Sequence, residues 1–219
     1  GNTLKELGRL DEAEASLRQA IVLKPDFAEA HYNLGIAFQE LGRLDEAEAS
    51  CTQSIALRPD YAEAHYTLGI VLQTLGKSDE AKASYTQAIA LKPNYAEAHN
   101  NLGATLKELS RLDESEASYR QAIALKPDIA LAHSNLSKVL YIKGYKDLAL
   151  ESIEKASHFD PQSKEFRLLL SVMKSRKCRE GRAAAIVDTT DTVALTGLTS
   201  NPLILNRVVE AELIANIYE

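Results

Sequence analysis

The sequence predicts an all-α solenoid, a stack of helical hairpins rather than a globule around one central core. Three observations predict it. Residues 28–61, 62–95, 96–129 and 130–163 align without a gap, at a period of 34 residues. Each copy opens on Ala-x-Ala-His, at Ala28–His31, Ala62–His65, Ala96–His99 and Ala130–His133. Each also carries a proline two residues before its end: Pro59, Pro93, Pro127 and Pro161. A unit repeated at this period cannot bury its apolar face alone, so it stacks on copies of itself.

The elements follow in order. Residues 1–27 read as the last part of one further copy, ending at Pro25. In residues 28–61, Ala30, Leu34, Ala37, Phe38 and Leu41 recur at helical spacing and define a first helix. Gly42 ends it, where a residue without Cβ takes a left-handed turn at no steric cost. Asp45 reads as the N-cap of a second helix, with Glu48 completing a capping box. Ala47, Ala49, Ser50, Cys51, Ser54, Ile55 and Leu57 are assigned to its buried side. Pro59 stops it, because proline disfavours helix in the residue before it. Gly35 and Ala47 are small because the two helices of the unit are expected to cross there.

These positions carry a specific resemblance. Leu34-Gly35, Phe38, Ala47, Cys51 and Pro59 fall at the offsets of the tetratricopeptide repeat. So do Leu68-Gly69, Leu72, Ala81, Tyr85 and Pro93, and then Leu102-Gly103, Leu106, Tyr119 and Pro127. The departures are Ser115 for the small alanine, Ser110 for the turn glycine, and histidine for the usual first-helix tryptophan. The resemblance covers residues 1–163. It implies a right-handed superhelix whose first helices line a concave groove, and a protein–protein interaction scaffold that binds a protein or an extended peptide there without catalysis or cofactor.

Residues 130–163 drift from the other copies at Leu131, Tyr141, Ile142, Lys146, Leu148 and Phe159, as terminal repeats do. Residues 164–177 then read as a capping helix, with Phe166, Leu169, Leu170 and Met173 on the face that covers the last repeat. Residues 178–200 lose helical periodicity and read as a linker in a mostly irregular tail. Residues 201–219 read as a new helix opening at Pro202, the start of a truncated second domain. Thr199 to Ile204 is similar to a motif of transaldolases, but no Schiff-base lysine context accompanies it. Residues 197–219 also resemble the junction at which such repeats precede a 2-oxoglutarate/iron oxygenase domain. The alternative function is therefore a substrate-recruiting arm of a larger enzyme, of oxygenase or glycosyltransferase type, whose catalytic domain lies beyond residue 219.

Composition narrows the classes further. The net charge of −6 argues against a nucleic-acid footprint. Residues 164–182 hold seven basic and two acidic residues, read as a solvated helix end and linker. No run approaches the roughly 18 apolar residues of a spanning helix, so no membrane partner is expected. Two cysteines make no disulfide framework and point to a reducing, cytoplasmic setting. Gly1 is in register with Gly35, so the chain is expected to begin inside a first helix of a longer protein. Self-association by end-to-end stacking is a third role that the repeat pattern allows.

No nucleophile–base pair or phosphate loop appears. His31, His65, His99 and His133 form a ladder, but repeats stack about 8–10 Å apart, while zinc ligands sit about 2 Å from one ion; no metal site is expected. The binding candidates lie instead on the first helices. Glu29, Glu63 and Glu97 form one row; Tyr32, Tyr66, Asn100 and Ser134 the next. Asn33, Asn101 and Asn135 form a third, interrupted by Thr67. Asn2, Ile36, Ile70, Ala104 and Lys138 form a fourth, and Lys5, Gln39, Gln73, Lys107 and Tyr141 a fifth. The asparagine row resembles the ladder of O-linked N-acetylglucosamine transferases, which implies backbone recognition by amides that both donate and accept. A terminal-carboxylate clamp is excluded, since Glu63 and Thr67 stand where it needs cations.

Overall fold

The computed structural model describes residues 10–189, with side chains through residue 178. These residues form ten helices and no strand. In chain order they are α1 Leu10–Leu23, α2 Ala28–Glu40, α3 Leu44–Leu57, α4 Ala62–Thr74 and α5 Ser78–Leu91. They continue with α6 Ala96–Glu108, α7 Leu112–Leu125, α8 Ala130–Ile142, α9 Lys146–Phe159 and α10 Lys164–Thr189. Each helix packs chiefly on its neighbours in the chain. This is a helical repeat solenoid, with the core distributed along the stack.

One backbone device ends each first helix. Gly42 takes φ +72°, its N–H bonds Gln39 O at 3.0 Å, and the Arg43 N–H reaches back to Phe38 O at 2.8 Å. Gly76 and Gly144 repeat it at φ +75° and +88°. At residue 110 a serine is forced into the same left-handed turn, at φ +60°. That conformation crowds Cβ against the following carbonyl at a cost of about 1 kcal/mol. Ser110→Gly is therefore expected to raise stability by about 0.5–1 kcal/mol in chemical denaturation, the gain trimmed by the freer unfolded glycine. A loss of stability would contradict it.

The second helices begin differently from the expected capping box. α3 starts at Leu44 with Arg43 at the N-cap, and no side chain caps it. Asp45 sits inside the first turn, where it still answers the helix dipole. Glu48 does not fold back; it accepts from Lys77 Nζ of the next repeat at 2.7 Å. The turn hands the chain on within a residue of Gly42, so no residue is left in the extended conformation a side-chain cap requires. The expected buried side also needs one correction. Ala47, Ser50, Cys51 and Ser54 are buried, but Ala49 is exposed, because two residues carry it around the helix from Ala47.

The crossing point within each repeat is tight. A Cβ on Gly69 would stand 2.6 Å from the Tyr85 ring, and one on Gly103 2.8 Å from Tyr119. At Gly35 the neighbour is Cys51 Sγ, at 2.5 Å. Residue 137, the serine in that register, donates to Ala149 O at 2.7 Å. Ser115 donates to Gly103 O at 2.7 Å, which satisfies its buried hydroxyl.

α10 closes the stack. Ser163 accepts from the Phe166 N–H at 3.3 Å, and Phe166, Leu169 and Met173 are buried against α8 and α9. The helix does not end near Lys177 but runs to Thr189, into the segment read as linker. Its last turns hold good helix formers (Ala183, Ala184, Ala185) without an apolar stripe, so periodicity alone ends the element at its last buried residue. The rest of the 178–200 reading, the 201–219 helix, and Asn2 and Lys5 lie outside the described residues. No described helix is long and apolar enough to cross a membrane.

Candidate functional site

The first helices α2, α4, α6 and α8 touch one another from repeat to repeat, while the second helices make fewer such contacts. The first helices therefore form the more closely spaced row of the stack. Four histidines hold the loops to this row. The Nε2–H of His31, His65, His99 and His133 donates to the carbonyls of Pro25, Pro59, Pro93 and Pro127, at 3.1, 3.0, 3.2 and 2.9 Å. Each ring nitrogen thus bonds the chain six residues back.

Hydrogen bonds join the second and third rows across two junctions, in both cases 35 residues apart. Asn101 Nδ2 donates to Tyr66 OH at 3.1 Å. Asn135 Nδ2 donates to Asn100 Oδ1 at 3.4 Å, and Asn100 Nδ2 donates to Asn101 Oδ1 at 3.1 Å. Thr67, which interrupts the asparagine row in sequence, is buried. Asn33 heads the row and has no partner among the described residues. Each amide keeps unused donor or acceptor capacity after these bonds.

The glutamate row is not a free acidic stripe. Glu29 pairs with Arg58 at 2.6 Å, Glu63 with Lys92 at 3.1 Å and Glu97 with Lys126 at 3.5 Å, each cation from the same repeat. The Glu29 carboxyl is held below its usual range first by a backbone N–H and then by Arg58. Partial burial opposes ionisation of Glu63, but Lys92, a backbone N–H and Arg58 together hold its carboxyl below the usual range.

The structure adds residues that the rows miss. Tyr61 packs on Tyr32 with ring centroids 4.8 Å apart, and Tyr95 on Tyr66 at 4.7 Å. Arg58 lies over the Tyr61 ring at 3.5 Å and Lys92 over Tyr95 at 4.5 Å. The signal was present: an aromatic stands just before Ala-x-Ala-His at Phe27, Tyr61 and Tyr95. In the fifth row, Gln73 accepts from Tyr85 OH at 3.1 Å and donates to Glu108 at 2.8 Å. Lys107 is half-buried, and burial followed by the charge of Lys138 holds its pKa down. Gln39 is half-buried on α2.

Known proteins match along the array. The family described as TPR repeat matches residues 1–42, and families described as Tetratricopeptide repeat match residues 26–94, 66–128 and 105–164. No curated protein sequence matches the chain. The crystal structure of MamA is similar at 25% identity and TM-score 0.69, over 74% of this chain and 95% of that one. YrrB, described as a TPR protein with an unusual peptide-binding site, is 25% identical at TM-score 0.66, over 78% of this chain and 87% of its own. A thermophilic TPR protein from Thermus thermophilus is 27% identical at TM-score 0.63, over 79% of this chain and 94% of its own.

Proposed function

Because this chain belongs to the tetratricopeptide repeat family and is a protein–protein interaction scaffold, we propose that it binds an extended peptide along the inner face of α2, α4, α6 and α8. The observation that carries this reading is the ladder linking Tyr66 with Asn101 and Asn100 with Asn135. It fixes polar side chains in place before any ligand arrives, so little side-chain entropy is lost on docking. The remaining amide capacity can pair with a peptide backbone irrespective of its side chains. The paired tyrosines add flat, half-buried surface with few rotatable bonds. The likeness to YrrB, whose description includes a peptide-binding site, supports the same reading.

Binding rather than bond chemistry is part of this proposal. The buried hydroxyls of Ser54, Ser115 and Ser137 are committed to backbone carbonyls, which suits architecture rather than nucleophilic attack. A cytoplasmic setting is also proposed, on the free thiols of Cys51 and Cys178. The pairing of Glu29, Glu63 and Glu97 argues against a groove selective for basic peptides. The test replaces Asn33, Asn101 and Asn135 together by Ala in the full chain. Peptide-library affinity is then measured by fluorescence polarisation, with helical content checked by circular dichroism. Each lost backbone hydrogen bond is worth about 0.5–1.5 kcal/mol, and the weakening should be similar for peptides of different sequence. A triple variant that binds as the parent does would remove the ladder as the site.

A further inference from the structure

The fifth row breaks its own pattern at Lys107. One repeat earlier, Gln73 accepts from Tyr85 OH at 3.1 Å while donating to Glu108 at 2.8 Å. Tyr119 stands where Tyr85 stands, against its glycine with the same close approach. It is fully buried, yet its hydroxyl has no partner in hydrogen-bond geometry. Ser115 is near but gives its proton to Gly103 O at 2.7 Å. By the repeat, the acceptor for Tyr119 should come from residue 107, and a lysine ammonium accepts nothing.

The Lys107 cation itself makes no ion pair among the described residues, although Glu108 and Glu165 lie near enough to attract it. Glu108 next to it is engaged by Gln73 at 2.8 Å and Ser78 at 3.2 Å. Lys138, one repeat on in the fourth row of the same face, is close enough to repel it and is paired with Glu165 at 2.7 Å. A glutamine at 107 would relieve the orphaned phenol and the half-buried charge together. Local rules broken without a structural return mark places kept for binding.

We propose that Lys107, with Lys138 beside it, anchors an aspartate or glutamate side chain of a peptide lying in the groove. This rests on the groove reading above and adds a charge preference at one position of it. A carboxylate there gives Lys107 the acceptor it lacks and offsets the repulsion between the two lysines.

The test uses the full chain and three libraries of amidated twelve-residue peptides, randomised except for a central Glu, Gln or Lys. Binding is read by fluorescence polarisation. The Glu library should bind on the order of tenfold more tightly than the Gln library, and the Lys library more weakly than either. Lys107→Gln should erase the Glu-over-Gln difference, and its melting temperature should rise. Lys107→Arg should keep the preference. Equal binding of the Glu and Gln libraries by the parent, or a preference surviving Lys107→Gln, overturns the anchor while leaving the groove. Gln peptides with a free C-terminus binding as tightly as the Glu library would assign the site to chain ends and overturn the side-chain assignment. If no library binds, the groove reading falls and the anchor with it.

Discussion

Ala81→Leu is expected to lower the melting temperature clearly, and Ala83→Leu to leave it nearly unchanged. Ala81 is fully buried where α4 and α5 cross, beside the Gly69–Tyr85 contact. Equivalent positions hold Ala47, Ser115 and Ala149, all fully buried. Nothing larger than serine is used there because the backbones themselves are near contact. Extra methylenes force the helices apart or push side chains off rotamer, at about 1–3 kcal/mol. In an array of this size that is roughly 2–4 °C per kcal/mol. Ala83 is exposed on the same helix, and surface changes of this kind usually stay within about 0.5 kcal/mol. Thermal unfolding followed by circular dichroism measures both, and equal melting temperatures would remove the assigned helix register.

Phe166→Ala is expected to cost more in total and to act locally. Phe166 joins Leu169 and Met173 of α10 to Leu136, Leu140 and Ile153 of the last repeat in one cluster. Truncating a buried phenylalanine costs about 3–5 kcal/mol. A repeat array loses stability chiefly at the interface that is damaged, because each repeat contacts only its neighbours. Hydrogen exchange should therefore show residues 130–178 opening well before residues 62–125, with the latter near parent protection. A uniform loss of protection would mean that the array unfolds as one unit and that α10 is not a local cap.

Much of the architecture was legible in the chain. The helix breaks at Gly42, Gly76 and Gly144 follow from one residue that tolerates positive φ, a signal read within a single turn. Phe166, Leu169 and Met173 announce the cap through their spacing alone. What failed locally failed for a local competitor. Asp45 looks like an N-cap, but the turn closed by Gly42 passes that position to Arg43 before a side-chain cap can form. The last turns of α10 lack an apolar stripe, so periodicity could not follow them to Thr189.

The candidate site divides along the same physical line. Which residues share a row on the first helices is a matter of helical phase, so the rows of Tyr, Asn, Gln and Lys could be written from sequence. How those rows meet is not. Tyr66 bonds Asn101, and Asn100 bonds Asn135, across a separation of 35 residues that is one more than the repeat. That offset comes from the tilt and rise between stacked hairpins, which no short-range pattern encodes. The same stacking lets Gln73 reach Glu108 of the next repeat. The packing of loop against helix lets Arg58 and Lys92 reach Glu29 and Glu63, turning an apparent acidic stripe into internal ion pairs. Repetition within the chain determined the fold and the phase of the rows along its first helices, because helix phase and turn conformation are local properties. The free charges and amides of those rows were decided by the tertiary structure, because pairing depends on distances set between repeats.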